Sequence, residues 1–172
     1  MRVLIAGVGN IFLTDDGFGP EVMRHLAALQ LPAGFTAVDF GIRGLHLAYE
    51  LLEGYEAVVI VDAAPRDLPA GTVSLLQVDP DSFGPGPDGP LLDAHGMEPV
   101  AILRTLGSLG GRVDRVYVLA CEPADIDEGL GLTPAVAAAV PAAVEALLRL
   151  VDQLVEQAVP ALNPTTGREV TT

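Results

Sequence analysis

Apolar positions along this chain recur in two periods. Five short β-type runs alternate with stretches of helical spacing, which predicts an α/β domain of three layers, a twisted, mostly parallel five-stranded sheet between helices. Arg2–Ala6 is a near-continuous apolar run, the pattern of a parallel strand buried on both faces. The first helix is expected to start near Pro20, since proline fits a first helical turn, and to stop before Pro32. Phe35–Asp39 reads as the second strand, followed by a Gly41–Gly44 loop and a helix through Leu52. Ala57–Val61 is the third strand and ends directly on Asp62. The connection from there to Thr72–Val78 is too short for a crossover helix, so the fourth strand is expected to be antiparallel and near an edge.

The stretch Asp79–Gly96, DPDSFGPGPDGPLLDAHG, has no period of its own, and connections this long are often functional lids. A helix over Glu98–Leu106 and a fifth strand, Arg115–Cys121, follow. The last helix lies within Thr133–Val159, where Pro141 predicts a break or a restart. Residues 1–159 thus read as one domain without internal repeats, and the polar residues 160–172 as a frayed, disordered tail.

Composition narrows the function. Half of the 172 residues are apolar, yet no run reads as an uninterrupted membrane span. The N-terminal apolar run is short and ends in a Gly-Asn turn, which predicts a cytoplasmic protein rather than a secreted one. The net charge is −14, and an acidic surface repels phosphate backbones, so nucleic acid is not an expected partner. All nine basic residues are arginines, which excludes a P-loop lysine and a lysine Schiff base. One cysteine, Cys121, leaves no internal disulfide and no Cys-x-x-Cys site.

The chemistry concentrates in GVGNIFLTDDGFG, Gly7 to Gly19, which joins a strand to a helix. Glycine pairs in such loops usually cradle phosphate, whereas the adjacent carboxylates Asp15 and Asp16 suit a cation. Ligands of open α/β sheets sit at the carboxyl ends of the strands, and Asp16, Asp39, Asp62 and Glu122 all fall there. His95 ends the long loop beside Gly96, which allows the backbone to bend. Blander roles compete: Asp15 or Asp16 could cap the first helix, Asp62 could bond the Ala63–Pro65 turn, and Asp39 and Glu122 could shape loops. His25 and His46 read as surface or boundary residues and Cys121 as a small buried one. Two carboxylates and an imidazole suit a divalent transition ion, without choosing among nickel, zinc, manganese and iron. Three protein ligands would leave positions open for water or substrate.

In order along Arg2–Leu150, the elements GVGN with DDGFG, Asp39-Phe40-Gly41 with Gly44, Asp62-Ala63, His95-Gly96 and Glu122-Pro123 with Leu132-Thr133-Pro134 resemble the hydrogenase maturation endopeptidases. That resemblance implies a compact α/β endopeptidase that removes the C-terminal extension of a nickel-iron hydrogenase large-subunit precursor after nickel insertion. It carries catalytic and metal-contacting roles onto Asp16, Asp62 and His95, with nickel supplied by the substrate, although another divalent transition metal could bind in vitro. Gly9, Asn10, Asp15, Asp39, Gly41 and Glu122 are the supporting or substrate-loop positions. No serine elbow or cysteine motif supplies a nucleophile, which leaves water. A monomer is expected. Two alternatives stand beside this reading. One is a Rossmann-type dinucleotide enzyme, supported by Gly7-x-Gly9 and Asp39 but opposed by Phe12 at its third glycine position. The other is a chaperone that checks for nickel without cutting.

Overall fold

The computed structural model describes residues 1–80 and 99–158. Strands β1 (Val3–Val8), β2 (Phe35–Gly41), β3 (Ala57–Ala63), β4 (Val73–Val78) and β5 (Arg115–Cys121) form one sheet in the order β2-β1-β3-β5-β4. Four strands run parallel, and β4 lies antiparallel to β5 at the edge. Every residue of β1 and β3 is buried, which is why both read as unbroken apolar runs rather than alternating ones. Successive side chains still go to opposite faces. Val3 and Ile5 join the core under α1 (Phe18–Leu26) and α4 (Pro134–Ala158), with Val22, Leu26, Leu147 and Leu154. Leu4, Ala6 and Val8 join the core under α2 (Gly44–Leu51) and α3 (Pro99–Ser108), with Leu47, Leu51, Ile102 and Leu106.

From β1 the chain moves outward to β2, then returns across to β3, so the strand order reverses between β1 and β3. A crevice opens at such a switch point, at the carboxyl ends of the strands. Gly19 in the first turn of α1 fixes its floor. A Cβ there would run into the carbonyl oxygens of both Val8 and Val61, so the helix backs directly onto the ends of the two central strands.

Several boundaries differ from the sequence pattern. β1 continues to Val8 and β3 to Ala63, so Asp62 lies within a strand and pairs with Ala120 of β5. β4 is an antiparallel edge strand, as expected, but β5 is inserted between it and β3. The first helix begins at Phe18, with Pro20 inside its first turn. Pro141 neither breaks nor restarts α4: it and Ala137, whose carbonyl loses its usual donor, both lie on the exposed side of the helix. By length and composition α4 could also cross a membrane, which the sequence pattern did not suggest. Here one of its faces is packed onto the sheet, through Val136, Val140, Leu147 and Leu154. The Asp79–Gly96 lid expectation falls almost wholly outside the described residues, and the 160–172 tail does so entirely.

Two distant loops are zipped together above the sheet. Thr14 N–H donates to the Gly129 carbonyl (3.1 Å), Gly129 N–H to Phe12 (2.9 Å), and the Thr14 hydroxyl to the Asp127 carbonyl (2.8 Å). The zip is anchored by Asp15, a fully buried carboxylate. Its Oδ1 accepts from Thr133 N–H (2.7 Å), and its Oδ2 from Ala124 N–H (2.8 Å), the Thr133 hydroxyl (2.9 Å) and Asp125 N–H (3.1 Å). Thr133 immediately precedes α4, so the carboxylate also lies at the positive end of that helix. Burial alone would raise the Asp15 pKa, but the bonds from Thr133, Ala124 and Asp125 outweigh it and hold the group below its ordinary 3.8.

Asp15→Asn replaces one acceptor oxygen by a donor that faces backbone N–H groups. It is expected to cost about 2–4 kcal/mol in urea unfolding at pH 7. Because the folded-state pKa is lowered, the carboxylate's stabilisation is full above its unfolded value and is lost as pH falls through the folded one. The gap between wild type and Asp15→Asn should therefore narrow below about pH 4; a gap that stays constant down to acid unfolding would contradict the assignment.

Candidate functional site

Asp16 sits beside Asp15 on a short 3-10 turn, Thr14–Gly17, and bonds a different loop from the one Asp15 holds. Its Oδ2 accepts the N–H of Asn10 at 2.7 Å, while its Oδ1 accepts no hydrogen bond among the described residues. The group is half-buried, and that burial raises its pKa even though the Asn10 N–H pulls it down. The loop can fold back this far only because residue 9 is glycine. It takes φ +135°, and a Cβ would run into the Asp16 carbonyl oxygen. Asn10 shapes the same turn by accepting the Phe12 N–H on its side chain (3.0 Å).

Gly9 N–H donates to the Gly41 carbonyl at 3.1 Å, which joins the loops after β1 and β2. Gly41 N–H in turn donates to Asp39 Oδ1 at 2.8 Å, and Arg43 donates to the carbonyls of Asp39 (2.7 Å) and Phe40 (3.0 Å). Asp39 thus serves an Asx turn at an exposed loop. Its carboxylate borders a groove of about 590 Å³ that runs past Ile11, Pro20, Leu132 and Val140 between α1 and α4.

Asp62 enters from β3, the strand next to β1, and is buried. Glu122, also buried, follows β5. Its Oε2 accepts Arg66 N–H (2.7 Å), and its backbone bonds Thr72 and Gly71. It therefore ties the β3–β4 connection to the end of β5. Cys121 is wholly buried; burial first, then the charges of Asp15 and Glu122, push its thiol up to about 11. A thiol in that state is no nucleophile at neutral pH. His25 and His46 are exposed, and His25 lies 3.3 Å from Glu21 on the surface of α1. His95 lies outside the described residues, and among those described no three His, Cys, Asp or Glu side chains gather as a metal site.

The structure thus brings Asp16 and Asp62 to the ends of neighbouring strands and separates their duties from those of Asp15. It also disposes of the dinucleotide alternative. A pyrophosphate needs free amides and a helix starting at the glycines. Here α1 begins only at Phe18, Gly9 N–H is bonded to Gly41, and Asn10 N–H already holds a carboxylate. Sequence reasoning missed the partners of Asp15. Thr133-Pro134 before an apolar run carries a helix-start signal, but nothing local links it to a residue 118 positions away.

The family profile described as hydrogenase maturation protease matches residues 20–150. A hydrogenase expression/formation protein, HupD, of Rhodobacter capsulatus is 31% identical over 138 residues, which is 79% of this chain and 64% of that protein. Among solved structures, the hydrogenase maturating endopeptidase HybD of Escherichia coli superposes with a TM-score of 0.75 at 26% identity, covering 90% of this chain and 94% of its own. The NiFe hydrogenase maturation protease HybD of Thermococcus kodakarensis gives 0.66 at 29%, covering 88% and 99%. With this profile spanning most of the chain and both structures sharing its fold, the protein belongs to the hydrogenase maturation protease family and is a peptidase.

Proposed function

We propose that this peptidase removes the C-terminal extension of a nickel-iron hydrogenase large-subunit precursor once nickel is in place. The nickel, held by the precursor as part of the substrate, meets Asp16, Asp62 and His95. The observation that carries the reading is the placement of Asp16 and Asp62 at the carboxyl ends of adjacent strands, either side of the switch point. A buried acid from a strand and a half-buried one from a loop suit a cation that arrives with part of its coordination shell already filled. His95, four residues before α3, is the third ligand in this reading.

Hydrolysis needs a nucleophile, and the buried Cys121 thiol cannot supply it. Water is the nucleophile in this proposal. A carboxylate of the crevice would take the proton that water gives up. The substrate's nickel would contribute Lewis acidity at the scissile carbonyl. Asn10 and Gly9 hold Asp16 at this place through the backbone bond and the close approach described above.

Asp16→Asn, Asp62→Asn and His95→Ala are each expected to lower release of the C-terminal peptide from nickel-loaded precursor by about 100-fold or more, read by mass spectrometry. Precursor without nickel should stay uncut. Wild-type rates in all three variants would reject the assignments, and binding of loaded precursor without any cut by the wild type would favour a nickel-checking chaperone. Cys121→Ala should keep full activity, and iodoacetamide at pH 8 should leave the folded protein unlabelled, since only about one thiol in a thousand is ionised there. Rapid labelling with loss of activity would put the thiol back into the reaction.

A further inference from the structure

Helix α2 is apolar on two sides. Leu47, Ala48 and Leu51 face the core, as one side of a surface helix should. At 100° per residue, Leu45, Tyr49 and Leu52 fall on a second stripe within about 60° of one another, and they are 57%, 50% and 41% exposed. Ile42, 64% exposed, leads into that stripe from the turn that Arg43 fixes by bonding Asp39 and Phe40. A surface helix of this length would ordinarily carry charge there, and a contiguous exposed apolar strip marks a contact surface.

The strip starts at the candidate site. Ile42 follows Gly41, whose carbonyl is bonded to Gly9 in the loop of Asp16. That loop also carries Ile11 and Phe12, 52% and 63% exposed. Apolar surface therefore runs from the switch-point crevice onto α2. On its far flank the strip is edged by His46, Glu50 and Glu53, two of them acids.

We infer that Ile42, Leu45, Tyr49 and Leu52 form a docking strip for the folded body of the hydrogenase precursor, apart from the peptide that is cut. This rests on the substrate named above. The matching surface is an apolar patch with a basic rim, opposite Glu50 and Glu53. A second copy of this chain fits less well. Each copy carries −14, so two repel, and four side chains supply far less than the roughly 800 Å² per partner of a stable interface. For the precursor the strip need not form the whole interface, since it adds to the contacts made at the crevice.

The test uses the full chain and nickel-loaded precursor, with Leu45→Gln/Tyr49→Gln as the variant. Both side chains are exposed, so the melting temperature should hold. Isothermal titration calorimetry should show binding of the precursor weakened about tenfold or more. An unchanged Kd, or a wild type that does not bind the precursor, overturns the inference. So does a dimer in sedimentation that the variant abolishes, since a second copy would then own the strip. Cleavage is scored separately by mass: binding that depends on the strip without any cut would sink the proteolytic reading and leave this one standing.

Discussion

The buried carboxylate of Asp15 is the interaction on which the upper half of this molecule depends. A charge without water is tolerable only when hydrogen bonds replace its hydration, and four donors converge on this one. Because three of the four are backbone groups, the constraint passes to the chain itself. The loop after β1, the loop after β5 and the start of α4 are held in one arrangement. That arrangement sets where the next residue, Asp16, must stand.

Adjacent aspartates have thus been given opposite environments. Asp15 is saturated with donors and its carboxyl is held below the ordinary range, so it stays ionised and chemically quiet. Asp16 has one donor and partial burial, and its carboxyl is held above that range. The first pattern belongs to architecture and the second to a group that can exchange a proton or meet a cation. Glu122 repeats the first role at the neighbouring connection, where it collects the Arg66 amide. Acidic residues cluster at the carboxyl ends of the strands for two reasons, then, only one of which is chemistry.

The strand order leaves a crevice between β1 and β3, at the carboxyl ends of the strands. There the chain leaves β1 outward to β2 and returns to β3 on the other side. An acidic crevice flanked by exposed apolar residues is poorly suited to nucleotides.

Much of the fold was legible in the residues alone. The unbroken apolar runs of β1 and β3 could be satisfied only by burial on both faces, and an apolar run followed by Asp62 had to deliver that carboxylate near the sheet's carboxyl edge. The short connection before β4 required an antiparallel strand. What only tertiary structure decided were relations between distant segments. Asp15 and Asp16 are chemically alike and adjacent, so no local rule could tell the saturated carboxylate from the one with an open oxygen; the difference lies in Thr133 and Ala124, more than a hundred residues away. The insertion of β5 between β3 and β4, and the survival of α4 through Pro141, were likewise decided by packing and by which side of an element faces water. Local sequence fixes what each segment can form, whereas the pairing of loops is settled by the burial and hydrogen bonding available once the sheet has closed.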